Sequence, residues 1–202
     1  MLHYNHLSNR YFAMRHGHSI ANLQGIIVSQ SKNGLKDYGL SEKGEAQVKK
    51  SVQKDFRLDS DTLIISSDFK RARESAEIVH RILECKIPVC FDIRLRERRF
   101  GELELSSDSG YTRVWKADEI NPENRTEGVE SANQVMERVT AVVCAYEKKI
   151  TNATLLIVSH GDALQLLQTA FSKQSASRHR YQQHLDTAEI RRLNIGRGVE
   201  DS

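Results

Sequence analysis

Arg15-His16-Gly17-His18-Ser19 follows the apolar run Tyr11-Phe12-Ala13-Met14. Together they read as a buried strand with a charged cluster at its carboxyl end. Open α/β sheets bind ligands at that end. The planar fork of an arginine matches phosphate oxygens. A neighbouring histidine can act as nucleophile, acid, base or metal ligand. Gly17 would let backbone N–H groups come close to an anion, and Ser19 could cap a following helix. A second apolar run, Leu155-Leu156-Ile157-Val158, ends in a similar cluster, Ser159-His160-Gly161-Asp162. If the two strands are neighbours, His16 and His160 meet at one end of the sheet.

Moving a phosphoryl group needs a nucleophile, cations on the non-bridging oxygens and an acid for the leaving oxygen. His16 is the candidate nucleophile, with its tautomer fixed by a hydrogen bond from the other ring nitrogen to a backbone carbonyl. Arg15 and Arg71 are the candidate clamps. His160, protonated beside a phosphate dianion, would add a donor and a charge. Glu97 is the best-placed proton donor, because an anionic pocket pushes a carboxyl towards its protonated form. Glu102 and Glu104 are close enough in sequence to compete for that role.

These groups need a scaffold, and the hydrophobic pattern supplies one. Strands are expected at residues 10–15, 63–66, 88–91 (short, at an edge) and 155–158, with a last one over 188–193. Helices are expected from Ser41 to about 56, with Val48, Val52 and Phe56 on one face, and from Ser67-Asp68 to about 84. Others are expected over 111–119 with Trp115, from Glu130-Ser131 through Tyr146, and over 163–171. Residues 1–9 read as a ragged start with solvated His3 and His6, and 172–185 as polar and basic. The stretch Gly25-Ile26-Ile27-Val28-Ser29 reads as a short extended piece near the site. Strands alternating with helices give an α/β fold with a largely parallel sheet.

The 202 residues suit one domain, 1–202. A charge of +3 from 30 basic and 27 acidic residues argues against nucleic acid or a membrane surface as partner. It leaves room for a pocket that takes a small phosphorylated substrate. Cys85, Cys90 and Cys144 lack metal-type spacing and cannot all pair, so they read as reduced core residues. The polar start and the lack of an apolar run near 20 residues predict a cytoplasmic protein. A homodimer is left open.

Four blocks in order resemble the histidine phosphatase superfamily, the phosphoglycerate mutase-like fold. They are Arg15-His16-Gly17 with Asn22, Ser66-Ser67-Asp68-Phe69-Lys70-Arg71-Ala72, Leu95-Arg96-Glu97-Arg98-Arg99-Phe100-Gly101, and Ser159-His160-Gly161. Gly128-Val129-Glu130-Ser131 resembles the opening of the family's penultimate helix. The match spans about residues 10–193. It implies a three-layer α/β/α sandwich, a covalent phosphohistidine on His16 and no cofactor or metal. It also implies that Arg15, Asn22, Arg71, His160 and Gly161 hold the phosphoryl group. Glu97 would protonate the leaving group and then activate water. Only 26 residues separate Gly101 from Gly128, where family mutases carry a longer insertion, so the resemblance favours the phosphatase branch. His18 stands where the family usually has Glu or Gln, and Asp162 follows the second His-Gly. Both are expected at the leaving group.

Other readings remain at this point. Mutase-type phosphoryl transfer uses the same groups. A zinc hydrolase could use His16, His18, His160 and Asp162, although it leaves Arg15 and Arg71 unexplained. An idle phospho-ligand binder would not need an acid. A phosphoprotein phosphatase would often lack Glu97. Arg178-His179-Arg180 could hold a distal anion of the substrate or be a solvated loop. Trp115 reads as core or lid packing.

Overall fold

The computed structural model describes residues 7–194. His3 and His6 lie outside them. Five strands form one sheet: β1 (Arg10–Arg15), β2 (Leu63–Ser66), β3 (Cys90–Phe91), β4 (Thr154–Ser159) and β5 (Ile190–Arg192), in the order β3-β2-β4-β1-β5. Only β5 is antiparallel. The helices are α1 (Ile20–Gln24), α2 (Ser31–Gly34), α3 (Glu42–Lys54), α4 (Lys70–Leu83), α5 (Tyr111–Ile120), α6 (Ala132–Glu147) and α7 (Gly161–Phe171).

The strand period of two sorts the core into layers. Along β1, Tyr11 and Ala13 pack with α6 and α7, while Phe12 and Met14 pack with α3 and α4. Along β4, Leu155 and Ile157 face the first layer, and Leu156 and Val158 the second. Every residue of β4 is buried, as a parallel strand covered on both faces requires. This is the three-layer α/β/α arrangement. A smaller cluster of Ile27, Phe100, Leu103, Val114 and Val129 sits beside it.

Three local expectations are corrected. The helix predicted from Ser41 to about 56 ends at Lys54, so Phe56 lies beyond it and is 95% exposed. Helix α4 starts at Lys70 after an uncapped Phe69, because Ser67 and Asp68 are engaged elsewhere. Of the cysteines only Cys85 is buried; Cys90 is exposed on the edge strand and Cys144 is half-buried. Among the described residues, no helix is long and apolar enough to cross a membrane.

Candidate active site

Strands β1 and β4 pair in parallel, with Arg15 opposite Ser159. The next residue of each chain segment is therefore a histidine. The rings of His16 and His160 lie edge to face with centroids 5.1 Å apart. The His16 backbone N–H donates to Ser159 O (3.0 Å), which ties the two strand ends together.

The tautomer of His16 is set from both sides. Its Nδ1–H donates to Gly17 O (2.7 Å), so Nε2 carries the lone pair. Arg71 Nε donates to that Nε2 at 3.0 Å. Burial, then the charges of Arg71 and Arg15, hold the imidazole well below its usual pKa. His16 is thus a neutral base with one lone pair facing cations. His160 is also kept neutral without ligand, by burial and then by Arg71. The expected imidazolium is not its resting state, because two buried arginines precede any phosphate in the pocket. Ser67 Oγ lies 2.8 Å from His160 Nε2 and fixes the ring.

Several buried donors here lack a protein acceptor. Arg15 Nε, Arg71 Nη1 and His160 Nδ1 are all inaccessible and unpaired. Arg71 reaches the site from the first turn of α4 and anchors Nη2 on Val28 O (2.9 Å). Arg15 anchors Nη1 on Leu185 O (3.0 Å) and on His184 Nε2 (2.6 Å). Buried polar groups are normally paired. Three orphaned donors beside a neutral imidazole form a cradle for an oxyanion.

Arg15, His16 and Arg71 line a cavity of about 200 Å3 with Ser19, Asn22, Ile26, Val28, Glu97, Asp108, Tyr111, Trp115, Gly161, Asp162 and His184, and His160 lies against His16 behind that lining. Gly161 starts α7 directly behind His160. Ser19 caps α1, and Asn22 completes a reciprocal capping box with it. The Asn22 Oδ1 is used by the cap, so its amide nitrogen is the part left for a ligand.

Glu97 enters between the α7 start and the 98–100 segment. One carboxylate oxygen accepts from Arg98 N (2.9 Å) and Ala163 N (3.3 Å). Loss of water, and then Asp162, raise its pKa above the ordinary carboxylate value. Of its two rivals, Glu104 is spent on Ser29, Gln30 and Asn33. Glu102 is exposed and does not line the cavity.

Gly17 has a different reason from the one its sequence suggests. Its N–H donates to the Ser75 hydroxyl (3.1 Å), not towards the cavity. A Cβ there would lie 2.5 Å from Gly44 O and 2.9 Å from Val48 Cγ2. The glycine lets α3 press against the strand end. Gly101 has φ +56°, and a Cβ would meet Glu127 O at 2.0 Å, so only glycine closes that turn.

His18 is turned away from the leaving-group side, with Nδ1 2.9 Å from Ser41 Oγ and its N–H donating to Gln47. Asp162 does line the cavity, held by Trp115 Nε1 (3.0 Å to each oxygen) and Arg98 (3.4 Å). Trp115 is therefore part of the site wall, not just packing. The zinc set of His16, His18, His160 and Asp162 does not converge. Among the described residues no group of three such side chains is placed to share a metal ion. The basic patch dissolves as well. His179 is buried near Asp118, Arg178 lies over Tyr181, and Arg180 covers Trp115 at 3.6 Å.

Residues missed in the sequence include Tyr111 and His184. Tyr111 stacks on Trp115 (5.4 Å, 9°) and edges Phe100, four residues before a tryptophan on the same helix face. His184 had no local signal, since it comes from an irregular segment.

The profile of the histidine phosphatase superfamily (branch 1) matches residues 11–201. The chain is 34% identical over 158 residues to "Probable phosphoglycerate mutase GpmB" of Salmonella paratyphi C, covering 76% of this chain and 70% of that one. A mycobacterial glucosyl-3-phosphoglycerate phosphatase superposes with TM-score 0.70 and 23% identity, covering 90% of this chain and 87% of that one. A phosphoserine phosphatase from Entamoeba histolytica, solved with 3-phosphoglyceric acid, gives TM-score 0.71 and 19% identity, over 90% and 88%.

Proposed function

The chain belongs to branch 1 of the histidine phosphatase superfamily, and from that premise we propose that it hydrolyses small phosphate monoesters through a phosphohistidine on His16. One observation carries the reading. Arg15, Arg71 and His160 each keep a buried nitrogen without a partner, beside a neutral histidine whose Nε2 lone pair meets Arg71. A phosphate dianion would satisfy all three and bring phosphorus to His16 Nε2.

The steps balance on the residues present. Arg71 leaves Nε2 for a phosphate oxygen. Nε2 then attacks phosphorus, the P–O ester bond breaks, and the Glu97 carboxyl gives its proton to the departing alkoxide. The anionic Glu97 next takes a proton from water, whose oxygen attacks phosphorus as the P–N bond breaks. Inorganic phosphate leaves, and both residues return to their starting forms. The charge that builds on the equatorial oxygens meets Arg15, Arg71 and His160. His160 gains basicity once the dianion arrives, which offsets part of the arginine repulsion.

Hydrolysis is favoured over mutase transfer by the short 102–127 segment, although one relative is named as a mutase. Both neighbours in fold described above are named as phosphatases. The test is a single-turnover reaction with an aryl phosphate in chelator, quenched in base and read by intact mass. Wild type should carry one added phosphate and His16→Ala none. Turnover without an adduct, or turnover that needs added zinc, would sink the reading.

A further inference from the structure

The cavity has two unlike ends. At one end Arg15 and Arg71 are committed to the phosphoryl group, with His160 behind them against His16. The other end is formed by the first turns of α5, the Ser107-Asp108 turn and Ile26, which bridges to Ser107. Its charged lining groups are Asp108 and Asp162, with Glu97 between the ends. Among the described residues no lysine lines the cavity, and its only two arginines are Arg15 and Arg71. The two cations packed behind this end are used. Arg98 is fully buried in a bidentate pair with Asp118 (2.6 and 2.8 Å). Arg180 lies behind Trp115 and is bonded to Gln165. The His184 ring, neutralised by burial and by Arg15, receives a hydrogen bond from Arg15.

From this charge arrangement, and resting on the phosphomonoesterase reading, we infer that the substrate's alcohol carries no anionic group: the leaving-group end accepts neutral or cationic alcohols and rejects carboxylated ones. A carboxylate on the leaving group would sit beside the exposed Asp108 and the buried Asp162, and the two arginines of the lining are claimed by the phosphoryl group. Like charges held together in this way disfavour a carboxylated alcohol relative to a neutral one. Tyr111, Trp115, Ile26 and Val28 offer apolar surface to a short carbon chain instead. The volume, about 200 Å3, suits a phosphate with a small alcohol. Trp115 does not serve as a cation cage, because Tyr111 covers one face and Arg180 the other.

The test uses a pair of esters that differ in one group. Glycerol 3-phosphate and 3-phosphoglycerate share a three-carbon chain, with a hydroxymethyl in one and a carboxylate in the other. Wild-type kcat/KM should favour glycerol 3-phosphate by about tenfold or more. Asp108→Lys should shift the ratio of kcat/KM for 3-phosphoglycerate over glycerol 3-phosphate upward by about tenfold, and an unchanged ratio would overturn the role given to Asp108. Calorimetry on His16→Ala gives the same comparison as binding, without turnover. Equal or tighter binding of 3-phosphoglycerate overturns the inference, whether or not the enzyme hydrolyses an aryl phosphate. The expected binding preference with no turnover and no adduct in wild type would uphold this selectivity while removing the phosphatase reading.

Discussion

The phosphate end and the leaving-group end of the cavity are built by different means. The first hangs on the carboxyl ends of β1, β2 and β4, strands whose register places His16, His160 and Arg71 within a few residues of buried backbone. The second comes from residues 97–115, where short 3-10 turns and α5 fold over the site. In the proposed reading the strand ends carry the chemistry, and the irregular cover decides which alcohol reaches it.

The largest effect should come from the rigid end. His16→Ala should lower kcat for aryl and alkyl phosphates alike by about a thousandfold or more. Arg71→Ala should cost about a hundredfold to a thousandfold in kcat/KM for both ester types, since the same oxygens are held in each. Retention of near-normal turnover in either variant would move the chemistry away from β1.

The Glu97→Gln variant separates the two ends. It should lower alkyl phosphate turnover by about a hundredfold and aryl turnover by less than tenfold, because a phenolate needs no proton to leave. The pH profile sharpens this. His16 has a depressed pKa, so as the proposed nucleophile it would be neutral throughout the neutral range, and activity should be lost through it only in acid. Glu97 has a raised pKa, so it keeps its proton to a higher pH than an ordinary carboxyl. Alkyl turnover should then fall on the alkaline side as Glu97 ionises. That limb should be absent with aryl phosphates and in Glu97→Gln. An alkaline limb of the same size for both ester types would assign it to another group.

The same contrast explains what could be read from the chain alone. The motif at each strand end is contiguous, and a period of two or of 3.6 locates the strand or helix that carries it. Hence His16, Arg71, His160 and the parallel sheet were legible. Glu97 was legible as a candidate, but its separation from Glu104 required seeing Ser29, Gln30 and Asn33 close on the latter. Trp115 and Arg180 were misjudged because their partners, Asp162 and Gln165, lie 47 and 15 residues away. Gly17 was misread for a similar reason: the constraint on it comes from Gly44, on a helix a loop away.

The cover end has its own structural keystone. Arg98 and Asp118 are wholly buried and paired. Asp118→Ala leaves a buried guanidinium with its Nε–H on Glu130 O and, as its only remaining carboxylate, the longer contact to Asp162. It should cost about 3–5 kcal/mol in urea unfolding. Below the denaturation midpoint, aryl turnover should survive better than alkyl turnover, because the loosened element carries Glu97's neighbour and not His16. An equal loss on both would mean that the two ends are mechanically one unit.

The smallest effect should come from His18, two residues beyond the proposed nucleophile. Its ring lies against Ser41, whose hydroxyl accepts from Gly44 N at the start of α3 and donates to His18 O. His18→Ala removes one partner of a hydroxyl that keeps its capping bond. Stability should fall by a few tenths of a kcal/mol to about 1 kcal/mol. The kcat for alkyl and aryl phosphates should stay within about twofold, since nothing in the cavity touches the ring. A drop beyond tenfold confined to alkyl esters would place His18 at the leaving group and redraw the boundary between the two ends.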